Sequence, residues 1–279
     1  MQAGKLPSDL LARLLARLPS DPRLLLGPGI GRDAAAIDLG DGRVLVAKAD
    51  PVTFATEQIG RYAVHVNAND VACLGARPSW LLATVLLPEG AAPELAESIF
   101  EQVRAACAEL GVVPIGGHTE ITAGLARPVV AGAMLGEAAR DDLVRPDAAR
   151  AGDHIVLTKG IAIEGTALLA RDAPDALRTR GVREEAIERA ARLLVEPGIS
   201  IVREARAACE ATRVRALHDP TEGGLATALR ELGQAAGLQV RARRDRVPVL
   251  PETSEVCEAL RLDPLGLLAS GALLIGVAA

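Results

Sequence analysis

Short apolar runs alternate with longer segments of helical period along this 279-residue chain, and that alternation constrains its fold more than any other feature. Residues 44–47 and 80–87 predict buried strands, because each is a short and continuous apolar run. Residues 58–74 and 93–110 predict helices, the first of which is stopped by Gly75. Alternating strands and helices are typical of layered folds, so we expect sheets covered by helices.

The segment of residues 140–150 interrupts this alternation. It is charged and has no clear apolar period, so we place a domain boundary inside it. A new strand is predicted at residues 154–157, and strands and helices alternate again after it. The sequence therefore predicts an α/β (α+β) protein of two domains, residues 1–145 and 146–279.

Composition excludes several classes of protein. The formal net charge is -5 and only four residues are aromatic, whereas a nucleic-acid binder needs a concentrated cationic face and stacking surfaces. The four cysteines form no C-x-x-C pair, so we expect buried reduced thiols rather than a zinc site or a disulfide framework. The sequence shows neither a secretory signal nor a bilayer-spanning apolar stretch. We expect a cytoplasmic protein without nucleic-acid or membrane partners.

Five segments rich in acidic residues, asparagine or glycine fall where predicted strands or helices meet loops. They are residues 29–33, 50–52, 69–70, 116–120 and 219–224. Any one of them is more often a turn or a solvated loop. Together they predict a site for phosphates and Mg²⁺, because Mg²⁺ prefers oxygen ligands and glycines let the backbone approach phosphates. The sequence contains no G-x-x-x-x-G-K-[ST], which excludes a Walker-type NTPase.

The order of these segments resembles the aminoimidazole ribonucleotide synthetase (PurM-like) superfamily. The resemblance spans residues 27–277 and rests on Gly-x-Gly-x-Asp-Ala-Ala-x-Ile, a strand followed by Asp, Asn-Asp-Val-Ala-x-x-Gly-Ala-x-Pro, Gly-Gly-His-Thr and Asp-x-Thr-x-Gly-Gly-Leu. It implies an N-terminal domain that dimerises by joining sheets into a β-barrel, with ATP near the interface. It also implies a C-terminal α/β domain that covers the substrate side.

The resemblance also implies roles for individual residues. Members commonly activate an oxygen of an amide, carboxylate or phosphate by phosphoryl transfer from ATP. By motif position, the Mg²⁺ ligands are Asp33, Asp50 and Asp70; the nucleotide contacts are Gly29, Gly31, Asn69, Gly116, Gly117, His118 and Thr119; and the catalytic carboxylates are Asp50, Asp70 and Asp219.

Two departures from the family pattern remove potential cation ligands. Arg32 stands where relatives often have an acidic residue, and His118 stands where several have Asp or Glu. Glu120 is the residue that could compensate as a metal ligand, and we expect His118 to hydrogen-bond phosphate or backbone rather than metal. Lys48 and Lys159 are open to two interpretations, as contacts to phosphate or substrate or as water-exposed lysines at strand ends.

Residues 69–78 and 219–225 are most similar to HypE-like hydrogenase maturation proteins. A selenophosphate synthetase is disfavoured because no cysteine precedes Cys73, and a thiamine-monophosphate kinase because Gly-Gly-Asp-Thr is absent. HypE proteins end in a cysteine that accepts a carbamoyl group, whereas this sequence ends at Ala279. Truncation of the C-terminal domain is therefore an open alternative, and we do not assign the thiocyanate-forming reaction.

The leading hypothesis is a HypE-like, ATP- and Mg²⁺-dependent phosphoryl-transfer enzyme that acts as a homodimer on a small-molecule substrate. The alternative from another class is a non-catalytic nucleotide-binding scaffold in hydrogenase metallocentre maturation, with a maturation protein as its partner. Arg32, His118 and the absence of a terminal cysteine motivate that alternative. An enzyme like thiamine-monophosphate kinase or selenophosphate synthetase is the third reading.

Overall fold

A computed structural model describes residues 4–55 and 57–279. The first half of the chain forms a sheet with helices packed on it. Its elements are α1 (Ser8–Leu15), β1 (Leu24–Leu26), β2 (Ala35–Gly40), β3 (Arg43–Val52), α2 (Ile59–Ala72), β4 (Arg77–Pro88), α3 (Pro93–Leu110), β5 (Val113–Thr122) and β6 (Val129–Ala139). The second half carries β7 (His154–Leu157), α4 (Ile163–Asp172), α5 (Pro174–Thr179), α6 (Glu184–Arg192), α7 (Val202–Ala211), β8 (Ala216–His218), α8 (Gly224–Ala236), α9 (Pro251–Leu260) and β9 (Leu274–Val277).

Two sheets organise the described residues. The larger sheet has the strand order β1-β2-β3-β6-β4-β5, in which only β4 and β5 run parallel. Helix α2 packs against β3, β6 and β4 of this sheet and against α3. The smaller sheet has the order β7-β9-β8 and is antiparallel. The mixed α/β class predicted from the sequence is confirmed.

The cores of the two halves are continuous. One cluster of buried apolar side chains includes Val46 and Leu74 from the first half and Leu217 and Leu273 from the second. A second cluster joins Tyr62 on α2 to residues of α4 and of the segment before α7. Because burial of apolar area is the main favourable term in folding, the same packing that stabilises each half also holds the halves together.

Several elements differ from their predicted form. Strand β5 runs through Gly116 to Thr122 and so contains a segment, residues 116–120, that the sequence analysis placed where an element meets a loop. Helix α1 has Pro7 at its N-cap and contains no buried residue. Strands β1 and β2 and helices α5 and α9 were not predicted.

The larger sheet is open within one chain. The strands β1 and β5 lie at its two edges, so the described residues of a single chain form no closed barrel. The dimeric barrel that the resemblance implies therefore stays a prediction. None of the helices within residues 4–55 and 57–279 combines the length and the apolarity needed to cross a bilayer.

Candidate functional site

Carboxylates from both halves of the chain meet at one place. Asp33 lies in the loop before β2, Asp70 lies in the last turn of α2, and Asp219 directly follows β8. Ligand atoms of Asp33 and Asp219 lie within 4.8 Å of each other and of the Cys73 sulfur. Asp70 and Asp219 are buried. The fold thus brings together acids that are far apart in the sequence.

Lys48 on β3 joins this group. Side chains two residues apart on a strand project to the same face, which puts Lys48 and Asp50 on one side of the sheet. The Lys48 Nζ lies 2.8 Å from Asp70 Oδ2 and 3.7 Å from Asp50 Oδ2. Burial alone lowers the pKa of Lys48, but the charges of Asp70 and Asp50 outweigh it and raise the pKa above its usual value. Lys48 therefore stays protonated.

The buried acids hold protons more tightly than ordinary carboxyls. Burial, together with the charge of Asp33, raises the pKa of Asp219 to about 6, and burial raises the pKa of Asp70 well above its usual range. The Oδ2 atom of Asp219 is buried and receives no hydrogen bond from any residue within 4–55 or 57–279. Desolvated carboxylates of this kind favour a nearby cation, because it supplies the compensation that water no longer gives.

His218 sits between two carboxylates next to this group. Its Nδ1 lies 2.9 Å from Asp33 Oδ2, and its Nε2 lies 3.3 Å from Glu231 Oε2 on α8. Burial alone lowers the pKa of His218, but Asp33 and Glu231 outweigh it and raise the pKa to about 10. The charged imidazolium fixes the orientation of Asp33 and neutralises part of the acidic charge.

Asp50 is held by its backbone rather than by its carboxylate. Its N–H donates to Asn67 Oδ1 over 2.8 Å, and the Asn67 amide donates to the Asp50 carbonyl over 3.1 Å. The carboxylate itself is 41% exposed. This arrangement leaves the Asp50 side chain available to a ligand, and Asn67 is a positioning residue that the sequence analysis did not single out.

The Asn69 side chain hydrogen-bonds to backbone groups and does not face a cavity that a ligand could enter. Its Nδ2 donates to the Ile199 carbonyl over 2.8 Å, and its Oδ1 accepts from the Ile201 N–H over 2.9 Å. The side chain is fully buried. In this structure the predicted nucleotide contact is therefore a link between α2 and the second half of the chain.

The first glycine-rich segment also has a packing role. Gly31 has φ of +71°, and a Cβ there would lie 2.4 Å from the Glu231 carbonyl oxygen on α8. Only glycine fits this close approach of two backbones. Arg32 donates to the Gly27 carbonyl over 3.1 Å, and a Cβ at Gly29 would contact the Arg32 side chain. This segment positions Asp33 against the second half.

The Gly-Gly-His-Thr segment lies away from the acidic group of the same chain. Gly116 and Gly117 have φ near +145° (+144° and +147°), and a Cβ at Gly117 would lie 1.8 Å from the Ala83 carbonyl oxygen of β4. The strand register puts Gly117 three strands from Asp50, about 14 Å at the usual strand spacing.

The side chains that follow these glycines face each other rather than the acidic group. The Nε2 of His118 lies 3.0 Å from Glu120 Oε2, and Thr122 Oγ1 donates to Glu120 Oε1. Residues 116–120 are all exposed on the edge strand β5. Within one chain the structure therefore does not bring Thr119 or Glu120 to Asp33, Asp50 and Asp70.

A cavity of about 710 Å³ lies on the far side of Glu231 from the acidic group. Residues near the N-terminus, Phe54 and the start of α8 line it, among them Lys5, Arg230 and Glu231. Glu231 connects this cavity to the acids, because it contacts both Lys5 (3.5 Å) and His218. The cavity is thus linked to the acidic group through Glu231 and His218, whose Nδ1 contacts Asp33.

Besides Asn67, sequence reasoning missed three side chains of this site. His218 and Glu231 were not singled out, and Cys73 was expected to be a buried thiol without a role; it is buried, but it lies among the acids. The one available signal was the position of His218 directly before Asp219, at the end of a predicted strand. Lys159, by contrast, donates to the Ser200 carbonyl over 2.6 Å and pairs with Glu204, so it is not free in water.

The chain is similar in sequence to known proteins. Carbamoyl dehydratase HypE of Rhizobium leguminosarum bv. viciae is 31% identical over 254 residues, which are 89% of this chain and 69% of that protein. Selenide, water dikinase of Shewanella sp. (strain MR-7) is 30% identical over 251 residues, covering 88% of this chain and 67% of that protein.

Solved structures agree with these relatives. The crystal structure of hydrogenase maturation protein HypE in complex with ATP matches with a TM-score of 0.66 and 26% identity, over 95% of this chain and 77% of that chain. A HypE–HypF complex matches with a TM-score of 0.71 over 89% of this chain and 79% of that chain; at 22% identity this likeness concerns the fold alone.

Family models cover both halves of the chain. The model of the AIR synthase related protein N-terminal domain matches residues 31–138, and that of the C-terminal domain matches residues 150–279. The matched residues include Asp33, Asp70 and Asp219, which form the acidic group described above. The chain belongs to the AIR synthase related protein family.

Proposed function

We propose that this chain is a HypE-like enzyme that binds ATP with Mg²⁺ and transfers a phosphoryl group to an oxygen of a small substrate. The observation that carries the proposal is the meeting of Asp33, Asp70 and Asp219, from both halves, beside Lys48 and His218. Phosphoryl transfer needs little covalent help from a protein. It depends on positioning and on positive charge near the phosphates, and this group of residues supplies both.

The acidic group fits Mg²⁺ in its donor atoms. Mg²⁺ is bound through a small number of carboxylates together with substrate phosphates, and a buried Asp219 oxygen lacks a hydrogen-bond donor among the described residues. Asp33, Asp70 and Asp219 are the ligands we propose, with Asp50 at the solvent side. When bound, Mg²⁺ offsets the charge that develops on the transferred phosphoryl group.

The cationic residues have different tasks. Lys48 holds Asp70 and Asp50 in place and carries a positive charge toward the phosphates. His218 keeps Asp33 oriented through a 2.9 Å contact, as groups that hydrogen-bond to metal ligands do in other proteins. The cavity lined by Lys5, Arg230 and Glu231 is the site we propose for the phosphoryl acceptor.

We also propose that two copies of the chain join through β5. This strand is an edge of the larger sheet, and its apolar side chains Val113, Ile115 and Ile121 are all more than half exposed. An unpaired apolar edge strand is a ready surface for pairing with a second copy. The exposed His118 and Glu120 then lie at the interface, where the resemblance to the superfamily implies ATP.

Calorimetric titration with ATP in the presence of Mg²⁺ tests the cation site. Asp70→Asn and Asp219→Asn remove one charged ligand each, so we expect affinity for ATP to fall by roughly 10- to 100-fold. Asp245→Asn is the matched control, because Asp245 is exposed and pairs with Arg243, away from the acidic group. Circular dichroism and thermal unfolding establish that each variant is folded. Wild-type affinity in both folded variants would refute the proposed roles.

The scaffold alternative differs in turnover rather than in binding. Arg32, which packs on the Gly27 carbonyl, and the His118–Glu120 pair away from the acids are the observations in its favour. ATP binding without ADP formation, in the presence of a partner protein, would support it. Release of ADP that depends on Asp219 would instead support the enzyme.

A further inference from the structure

Cys73 brings sulfur into a group of oxygen ligands. It directly follows α2 and is fully buried, and its Sγ lies within 4.8 Å of ligand atoms of Asp33 and Asp219. The thiol donates a long hydrogen bond of 3.6 Å to Asp219 Oδ1. The other cysteines of the chain belong to no such group among the described residues.

The two carboxylates that face Cys73 are fixed from outside the group. His218 holds Asp33, and Glu231 in turn holds His218. Asp219 is 2% exposed, and its Oδ2 has no hydrogen-bond donor in the described part of the chain. A buried carboxylate oxygen without a donor costs free energy, and a coordinated cation removes that cost. This unpaired oxygen belongs to the carboxylate that accepts from the Cys73 thiol, so a cation bound to it would lie beside the sulfur.

The donor set selects the kind of cation. Hard Mg²⁺ takes oxygen ligands, whereas thiolate ligands favour zinc and cations of similar softness. Zinc accepts sulfur and carboxylate oxygen together, with bonds of about 2.0 to 2.3 Å and ligand atoms about 3.5 Å apart. Atoms already within 4.8 Å reach that spacing through small side-chain rotations. Three protein ligands leave a fourth position open for water or substrate.

We propose that Asp33, Cys73 and Asp219 bind a thiophilic divalent cation of the zinc class. On binding, a metal–sulfur bond forms, the S–H bond breaks and the proton passes to water; no group is oxidised or reduced. Because Asp33 and Asp219 also belong to the proposed Mg²⁺ site, the two cations compete for them. Zinc-class ions then act as competitive inhibitors of Mg²⁺ in this chain. The binding step itself does not require ATP.

Titration with Co²⁺ alone tests the proposal, because cobalt replaces zinc and its bond to a thiolate gives a ligand-to-metal absorption band. We expect the band to saturate at one equivalent in the wild type and in Cys209→Ser, a matched control in a half-buried thiol elsewhere. We expect Cys73→Ser to lose the band and to bind Co²⁺ at least about 10-fold more weakly. An unchanged band in Cys73→Ser would overturn the proposal.

Two further measurements keep the outcome clear. If Cys73→Ser does not fold, the wild type decides, because the absence of a thiolate band at saturating Co²⁺ overturns the proposal without any variant. Calorimetry with Mg²⁺ and ATP, carried out on the same samples, reports on the proposed function separately. Mg²⁺-dependent ATP binding without a cobalt–thiolate band would overturn the thiophilic site alone. A cobalt–thiolate band without Mg²⁺-dependent ATP binding would overturn the proposed function alone.

Discussion

His65 on α2 is a buried base that responds to pH. It is 2% exposed, and neither ring nitrogen has a hydrogen-bond partner among the described residues. Burial and the charge of Arg61 lower its pKa to about 4; Glu109, 3.6 Å from Nε2, opposes this shift, and Lys159 adds to it. The folded protein therefore keeps His65 neutral at pH values where an unfolded chain protonates it.

This difference predicts a loss of stability in acid. The unfolded state binds the extra proton between the unfolded pKa of 6.5 and the folded pKa of about 4, so stability is full above that window and falls through it. We expect His65 to account for about 2 kcal/mol of the stability lost between about pH 8 and about pH 5. Urea unfolding of His65→Asn at both pH values measures it, with the exposed His154→Asn as control. Equal acid losses in wild type and His65→Asn would contradict the prediction.

For single residues, the sequence predicted which side chains carry acidic groups at the site better than it predicted their hydrogen-bond partners. Asp33, Asp70 and Asp219 were chosen for their residue type and motif order, and the fold brings them together. Asn69 was chosen in the same way, but its amide binds the Ile199 and Ile201 backbone, a contact across 130 residues that no local pattern encodes. The assigned ligand and nucleotide roles themselves stay predictions.

The strand β5 shows why elements are harder to predict than motifs. Its two glycines were predicted to contact phosphate. In the structure, β4 approaches Gly117 so closely that a Cβ does not fit there. Helices α2 and α3, by contrast, were predicted to within a few residues of their observed ends, because a long helical period is a strong signal. Short strands such as β1 carry too few residues to show a period.

The proposed β5 interface predicts a change of assembly. Ile121→Lys places a charge on an edge that would be buried in the dimer, so we expect this variant to be monomeric while the wild type is dimeric. Gel filtration with light scattering measures the mass. Leu262→Lys serves as the control, because Leu262 is an exposed apolar residue outside the larger sheet. A monomeric wild type, or a dimeric Ile121→Lys, would rule out this interface.

At the scale of the whole molecule, the hydrogen bonds of Asn69 join the two halves, and their contribution to the free energy of unfolding can be measured. Asn69→Ala leaves the Ile199 carbonyl and the Ile201 N–H without their buried partner. We expect a loss of about 2 to 6 kcal/mol in the free energy of unfolding, because each of the two unsatisfied buried groups costs about 1 to 3 kcal/mol. Urea unfolding measures the loss, and Ser79→Ala, at an exposed strand position, is the control. Unchanged stability with weakened ATP binding would instead favour the nucleotide contact first predicted.

The domain boundary between residues 145 and 146 stays a prediction from the sequence. The larger sheet ends at Ala139 and the smaller one begins at His154, but a shared core crosses between them. Composition marks where a chain changes character, whereas packing between distant residues becomes visible only in three dimensions. The sequence therefore predicted the layers of this fold but not the contact that unites them.

The placement of Asp70 and Asp219 on opposite halves has a consequence for how the molecule assembles. Two ionised carboxylates at this place repel each other, and the charge of Lys48, 2.8 Å from Asp70, opposes that repulsion. We expect a divalent ion bound between them to stabilise the packing of the two halves. The stability of this packing then depends on the concentration of such ions. Because the acidic group takes residues from both halves, it is complete only when the two halves are packed together.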